Sequence, residues 1–225
     1  MAAASEPVWH PERVSYRRFL LDQALEAAVP LMRGTVVDLG GKRTNKRGEF
    51  RPPVREAERW VYVNLARASG PDVVADAGSV PLRSGVADCV ICTEVLEHLA
   101  DPAACVREAH RMLRPGGVII ASVPFLYPVH GDPSDYQRFT ADGLRRLFSA
   151  FTTVNIAAMG GFPGTLGMLL ELGVSGDGVS GLRARIGRRL VLGVARALCR
   201  HDLRRPPSPG GTLDHTTGYF TVGTK

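Results

Sequence analysis

The sequence predicts an α/β fold whose mostly parallel sheet is covered by helices on both faces. Three observations carry this reading. Short β-branched runs alternate with helical periodicities over 35–157, and several of the connections between them are short. The run VIIASV at 118–123 is almost unbroken in apolar character, as a central parallel strand buried on both sides requires.

The elements follow in order. ERVSYRRFLLDQALEAAV (12–29) places Val14, Leu21, Leu25 and Ala28 on one helical stripe, and Pro30 limits it. Gly34 opens TVVDLGG, the first strand. Residues 42–58 are polar, basic and contain Pro52-Pro53, which predicts a loop with a short helical turn near its end. WVYVNL (60–65), DVVA (72–75) and ADCVIC (87–92) read as the second, third and fourth strands. Asp101 is a natural N-cap and Pro102 suits the first helical position. Val106, Ala109, Met112 and Leu113 form that helix's buried face, and Pro115-Gly116-Gly117 ends it. The fifth strand is 118–123. Thr140 caps a helix through Phe148, 152–157 is the sixth strand, and GYFTVGT (218–224) is the last.

Size and charge narrow the function classes. A chain of 225 residues holds one full core with a small appendage at most. No apolar run is long enough to span a bilayer. MAAASEPVWHPER lacks a basic segment followed by an apolar one, so a cytoplasmic protein without a secretion signal is expected. Cys89 and Cys92 spell C-x-x-C, yet on a strand an odd offset puts them on opposite faces. Buried reduced thiols are therefore expected, and no metal. The net charge of +6 is concentrated: 183–205 carries +7 and 42–51 carries +4, leaving −5 for the remainder. Two local basic features on a mildly acidic body do not make a nucleic-acid-coating surface.

Candidate site residues fall at successive strand ends, where a βαβ sheet binds its ligands. Asp38-Leu39-Gly40-Gly41, Asn64, Asp76-Ala77-Gly78 and Thr93-Glu94-Val95-Leu96-Glu97-His98 end the first four strands. With VVDLGG, YVNL, DVVADAGSVPLRSGVADCVICTEVLEHLADP and EAHRMLRPGGVIIASVPF in this order, the chain resembles the class I S-adenosylmethionine-dependent methyltransferases, nearest the small bacterial type-11 group. The resemblance covers about 33–150. It implies a Rossmann-like fold with a mostly parallel seven-stranded sheet, helices on both faces and an antiparallel last strand. It implies one methyltransferase domain over 1–225, with an N-terminal helical cap (1–32) and a helical insertion or lid (161–210).

The resemblance also implies roles. Asp38, Gly40 and Gly41 would face the methionine portion of S-adenosyl-L-methionine, Asn64 the ribose, Asp76 the adenine amino group and Ala77 the ring, with Glu94 and Val95 beside the cofactor. Two departures stand out: Lys42 and Arg43 follow Gly41 where the family carries a further spaced glycine, and Asn64 replaces an acidic residue. The G-x-G-x-x-G turn of nicotinamide-binding domains is missing too.

For the acceptor, the segment PFLYPVHGDPSDYQRFT (124–140) follows a central strand. Similar stretches occur in methyltransferases of surface-polysaccharide and natural-product assembly. Methylation of a hydroxyl needs a proton sink. His130 is the candidate base, and Asp132 or Asp135 its orienter or alternate; the contrary reading is that Asp135 and Arg138 merely brace the loop. Tyr136, Arg138, Lys42 and Arg43 are candidate acceptor contacts, the basic ones suiting an anionic or saccharide-like molecule. Within 161–205, Leu182, Ile186, Leu190, Val194 and Leu198 form an apolar stripe on a basic helix. A lid over the site and a membrane or partner surface through 182–200 both fit it. The expected function is methyl transfer to a hydroxyl or amine of a small acceptor. A non-catalytic cofactor-binding scaffold and, behind it, a nucleic-acid methyltransferase are the alternatives. Oligomeric state is not legible.

Overall fold

The computed structural model describes residues 8–44, 48–131, 134–175, 182–205 and 214–225, with the side chains of 182–184 excepted. Six strands form one sheet: β1 (Thr35–Leu39), β2 (Arg59–Val63), β3 (Ala87–Thr93), β4 (Leu113–Pro124), β5 (Thr153–Ala158) and β6 (Gly218–Thr224). Their spatial order is β2-β1-β3-β4-β6-β5. β2, β1, β3 and β4 pair in parallel, while β6 runs antiparallel to both its neighbours, as expected for the last strand.

The count is six, not seven. The expected third strand at 72–75 makes a single parallel bridge, Val63 to Val73. The Asp72 carboxylate accepts the outward N–H of Tyr62 at 2.9 Å, a donor that a paired strand's carbonyl would otherwise take. Pairing therefore stops almost where it starts, and the chain turns at Asp76–Ser79.

Alternation along the strands divides the core. Val37, Val90, Cys92, Ile119 and Ala121 face α2 (Pro102–Met112) and α3 (Ala141–Leu147), whose Val106, Ala109, Met112 and Leu144 are buried against them. Val36, Cys89, Ile91 and Ile120 face α1 (Tyr16–Ala28), which contributes Leu21, Leu25 and Ala28. Cys89 and Cys92 thus lie on opposite faces, and all four cysteines are free and buried. Burying a Leu or Val side chain contributes about 1.5–3 kcal/mol, so each layer holds its helices firmly on the sheet.

The helix starts are set by local chemistry. The Ser15 hydroxyl accepts from the N–H of Arg18, so α1 begins at Tyr16 and 11–14 form a turn. Asp101 and Thr140 cap α2 and α3 by accepting from Ala104 and Gly143. α4 (Phe162–Val174) and α5 (Leu182–Leu203) form a hairpin seated on the start of α1. There Trp9, Tyr16, Phe19, Met168 and Cys199 make a third small core, and the Tyr16 hydroxyl donates to Asp202. A Cβ on Gly167 would sit 2.5 Å from the carbonyl oxygen of Ala195, so only glycine lets the two helices approach this closely.

The packed face of α5 differs from the expected stripe. Ala195 and Cys199 are buried, whereas Ile186, Leu190 and Val194 are 50%, 67% and 55% exposed. Among the described residues, no helix is long and apolar enough to cross a membrane.

Candidate active site

The sheet order reverses direction between β1 and β3, and a cavity opens at their carboxyl ends. It holds about 620 Å³, within the ~300–1,000 Å³ usual for ligand pockets. Gly40, Gly41, Asn64, Ala77 and Val95 line one part of it, and Tyr127, His98 and His130 another.

The cradle is built by close approach. Gly40 has φ +76°, and a Cβ there would lie 2.5 Å from Val95 Cγ2, so the turn after β1 passes directly over the segment that follows β3. Its N–H donates to the carbonyl of Val63 at 2.8 Å, closing the turn onto the end of β2. Asp38 lines the cavity beneath it. These short residues leave room for a flat, polar ligand, and they fit the group the resemblance implies.

Asn64 is placed at the cavity but serves the loop. Its amide donates to the carbonyls of Gly40 and Gly41 at 3.0 and 3.1 Å and accepts from the N–H of Ala66 at 2.9 Å. An acidic residue here could make neither donation. The departure from an acidic residue therefore has a structural counterpart: an amide that braces the glycine turn after β1. Asp76 is exposed and does not line the cavity, although Ala75 and Ala77 on either side do; its Oδ1 accepts from Gly78 at 2.7 Å.

Glu94 has φ +56°, unusual for a residue with a Cβ. It is held there by Arg17, which reaches across from α1 and pairs with both carboxylate oxygens, the second at 2.9 Å, while Ser122 donates to Oε1 at 2.8 Å. Burial pushes the Glu94 carboxyl up, but Arg17 and Ser122 outweigh it and hold it below the ordinary carboxylate range. Arg17, 7% exposed, also stacks over Tyr127. The sequence reading missed Arg17 and Arg18, which line the cavity from α1, and Arg13, which lines it from the turn before that helix. Nothing in 12–29 marks them, because a surface helix is expected to carry arginines.

Of the basic loop, Lys42 lines the cavity and Arg43 does not. Arg43 turns outward over the Tyr62 ring and bonds the Gly70 carbonyl (2.9 Å) and Asp72 (2.5 Å), so its guanidinium is engaged away from the cavity. Within 124–140, His130 lines the cavity. Tyr136 is 60% exposed and away from it. Arg138 grips both oxygens of Asp135 and the carbonyl of Pro128, which is the loop-bracing arrangement. Asp135 thereby sits far below the ordinary carboxylate range, chiefly through Arg138, and takes no proton near neutrality. It instead accepts the N–H of His130 at 2.9 Å and faces His130 Nδ1 at 3.3 Å, the position of an orienter. Asp132 lies outside the described residues. None of the cavity's lining residues comes from the described parts of α4 or α5.

Two further groups meet His130. His98 lines the cavity with its ring edge-on to that of His130, centroids 5.1 Å apart, and its Nδ1 lies 2.5 Å from the carbonyl oxygen of Ser134. Glu97 is fully buried behind both rings, and burial pushes its carboxyl up to about 8. EVLEH was visible in the sequence as a strand-end motif, but nothing local placed it against a loop more than 30 residues away.

Residues 57–121 match the family model described as a methyltransferase domain. A 37.1 kDa protein of transposon TN4556 from Streptomyces fradiae is 43% identical over 119 residues, 49% of this chain and 34% of that protein. A ubiquinone biosynthesis O-methyltransferase of Pseudomonas aeruginosa is 40% identical over 52 residues, 23% of this chain and 20% of that enzyme. The matched segments thus span about a third or less of these relatives. A SAM-dependent methyltransferase of Archaeoglobus fulgidus superposes with a TM-score of 0.57 at 17% identity, covering 92% of this chain and 94% of that one. The strand order and the turn after β1 thus agree with the fold of that methyltransferase, and residues 57–121 with the methyltransferase-domain model.

Proposed function

We propose that this protein transfers a methyl group from S-adenosyl-L-methionine to a hydroxyl or amine of a small, anionic or saccharide-like acceptor, in natural-product or glycan biosynthesis. The observation that carries the proposal is one cavity at the β1–β3 switch point that is lined on one side by the glycine turn and on the other by an oriented histidine. Asp38, Gly40 and Gly41 would hold the methionine part, with Asn64 fixing their loop. Ala77 would lie against the ring, and Asp76, next to it in the chain but outside the cavity lining, would accept the adenine amino group with its remaining oxygen. Bound S-adenosylmethionine supplies an electrophilic methyl on a sulfonium. The chain's own contribution is to position the acceptor and exclude water from it. His130, with Nδ1 against Asp135, directs Nε2 inward, where it can take a proton or hold the acceptor oxygen. Arg13, Arg18 and Lys42 at the cavity favour an anionic acceptor.

The test is calorimetry with the cofactor, followed by transfer of labelled methyl to pools of cell-extract metabolites. Binding and transfer are expected, with His130→Ala retaining binding and losing most turnover. Binding with no transfer to any pool would instead support a scaffold, and transfer to RNA or DNA would overturn the acceptor class. On a separate face, α5 displays Ile186, Leu190 and Val194 beside exposed Arg185, Arg188 and Arg189. This pattern supports contact with an anionic bilayer surface. Co-sedimentation with anionic vesicles that is lost in Ile186→Ser/Leu190→Ser checks it; equal pelleting of both proteins would discard it.

A further inference from the structure

We infer that Glu97, His98 and His130 form a binding site for one divalent first-row transition cation at the acceptor end of the cavity. His98 Nε2 lies 3.7 Å and His130 Nε2 4.0 Å from Glu97 Oε1, and the three ligand atoms are within 4.8 Å of one another. Ligands bound at about 2.1 Å to a common ion are at most about 4.2 Å apart. Both Glu97 contacts already satisfy that limit, and the two imidazoles need to close by well under an ångström.

The independent observation is Glu97 itself. It is 0% exposed, and neither of its carboxylate oxygens has a hydrogen-bond donor. A buried carboxylate without a donor is costly, and such groups are ordinarily paired or bound to a metal. Here Oε1 faces the Nε2 atoms of both rings.

The backs of both rings support the same assignment. His98 Nδ1 is 2.5 Å from the Ser134 carbonyl oxygen, and His130 Nδ1 is 3.3 Å from both Asp135 Oδ2 and the Pro128 carbonyl oxygen. Oxygens behind Nδ1 fix the proton there and leave Nε2 as the donor atom, the usual arrangement behind a metal-bound histidine. Arg138 in turn pins Asp135, so the orienting carboxylate is fixed from a second side.

Two imidazoles and one carboxylate suit Zn²⁺, Co²⁺, Fe²⁺ or Mn²⁺ better than Mg²⁺ or Ca²⁺, which prefer all-oxygen sets. His98 and His130 line the cavity and Glu97 stands behind them, so the remaining coordination positions face the space assigned to the acceptor. On the methyltransferase reading, an acceptor oxygen completes the coordination there. The substrate class is thereby narrowed to oxygen-bearing acceptors. In the metal-loaded protein His130 serves as a ligand.

The experiment uses the full chain stripped with a chelator and dialysed. Co²⁺ is titrated in while its visible absorption is followed, and Zn²⁺ binding is measured by calorimetry. One ion per chain is expected, with a raised Tm. Glu97→Gln and His98→Ala should each weaken binding by more than the about 10–100-fold typical of losing a group behind a ligand. Should Glu97→Gln fail to fold, His98→Ala, at a partly exposed position, decides alone. No saturable binding to the stripped wild type, or equal affinity in wild type and His98→Ala, overturns the site. S-adenosylmethionine binding is measured in parallel on the chelator-treated protein. Cofactor binding without Co²⁺ binding removes the metal site and leaves the methyltransferase reading standing; the converse does the reverse.

Discussion

Replacing Arg17 by Met isolates what ties α1 to the end of β3. The Arg17 side chain is 7% exposed and that of Glu94 21%, and both carboxylate oxygens are engaged. With charge centres about 4 Å apart and an effective permittivity near 20, the attraction is ~4 kcal/mol. Removing one partner of a buried pair costs about 3–5 kcal/mol, because the other charge is left without compensation. Methionine keeps much of the volume, so the loss reports charge more than a cavity. In a domain of this size the expected fall in Tm is about 6–20 °C.

The pH dependence supplies a second readout of the same variant. In the wild type the folded-state pKa of Glu94 is depressed, so its contribution is present above the unfolded value and is lost as pH falls through the folded one. Without Arg17, burial is unopposed by its main counterweight and the folded value rises. The variant then regains stability on acidification, and the gap between the two proteins narrows. Urea unfolding at pH 7 and pH 4 measures both quantities. A loss under about 1 kcal/mol at pH 7, far below the cost of an uncompensated buried charge, would refute the reasoning. A gap that widens at pH 4 would do the same.

Three further substitutions probe the cavity. Gly40→Ala forces a Cβ to 2.5 Å from Val95 Cγ2 at φ +76°; calorimetry should show cofactor affinity reduced at least about 10-fold, and unchanged affinity would mean the turn does not approach the ligand. Asn64→Asp replaces two donations to the Gly40 and Gly41 carbonyls with a like-polarity contact, and should cost about 1–3 kcal/mol in urea unfolding. Unaltered stability with tighter cofactor binding would instead assign the position to the ribose. Asp135→Asn removes the anionic partner of Arg138 and the charge behind His130, with an expected loss of about 2–3 kcal/mol. Turnover should fall more than cofactor affinity does, and equal falls would assign Asp135 to loop stability alone.

The parts of this protein written in the sequence by itself are those decided over a few residues. Asp101 and Thr140 cap helices through atoms three residues away, and alternation along β3 alone is enough to send Cys89 and Cys92 to opposite faces. The places of Gly40, Gly41 and Asn64 at the cavity were legible for the same reason, since each stands just after β1 or β2 ends. What only the tertiary structure decided involves partners far apart in the chain. The run at 72–75 has strand character, but the Asp72 side chain takes a donor on β2 and limits the pairing to one bridge. Arg43 is drawn outward by Gly70 and Asp72, and α5 buries Ala195 and Cys199 because α4 approaches that side through Gly167. Arg17 meets Glu94 across 77 positions, and Glu97, His98 and His130 converge because the loop after β4 folds back over the turn after β3. Periodicity and capping are set by neighbours along the chain. Which charge meets which depends on how the sheet brings its strand ends together, and no local pattern encodes that.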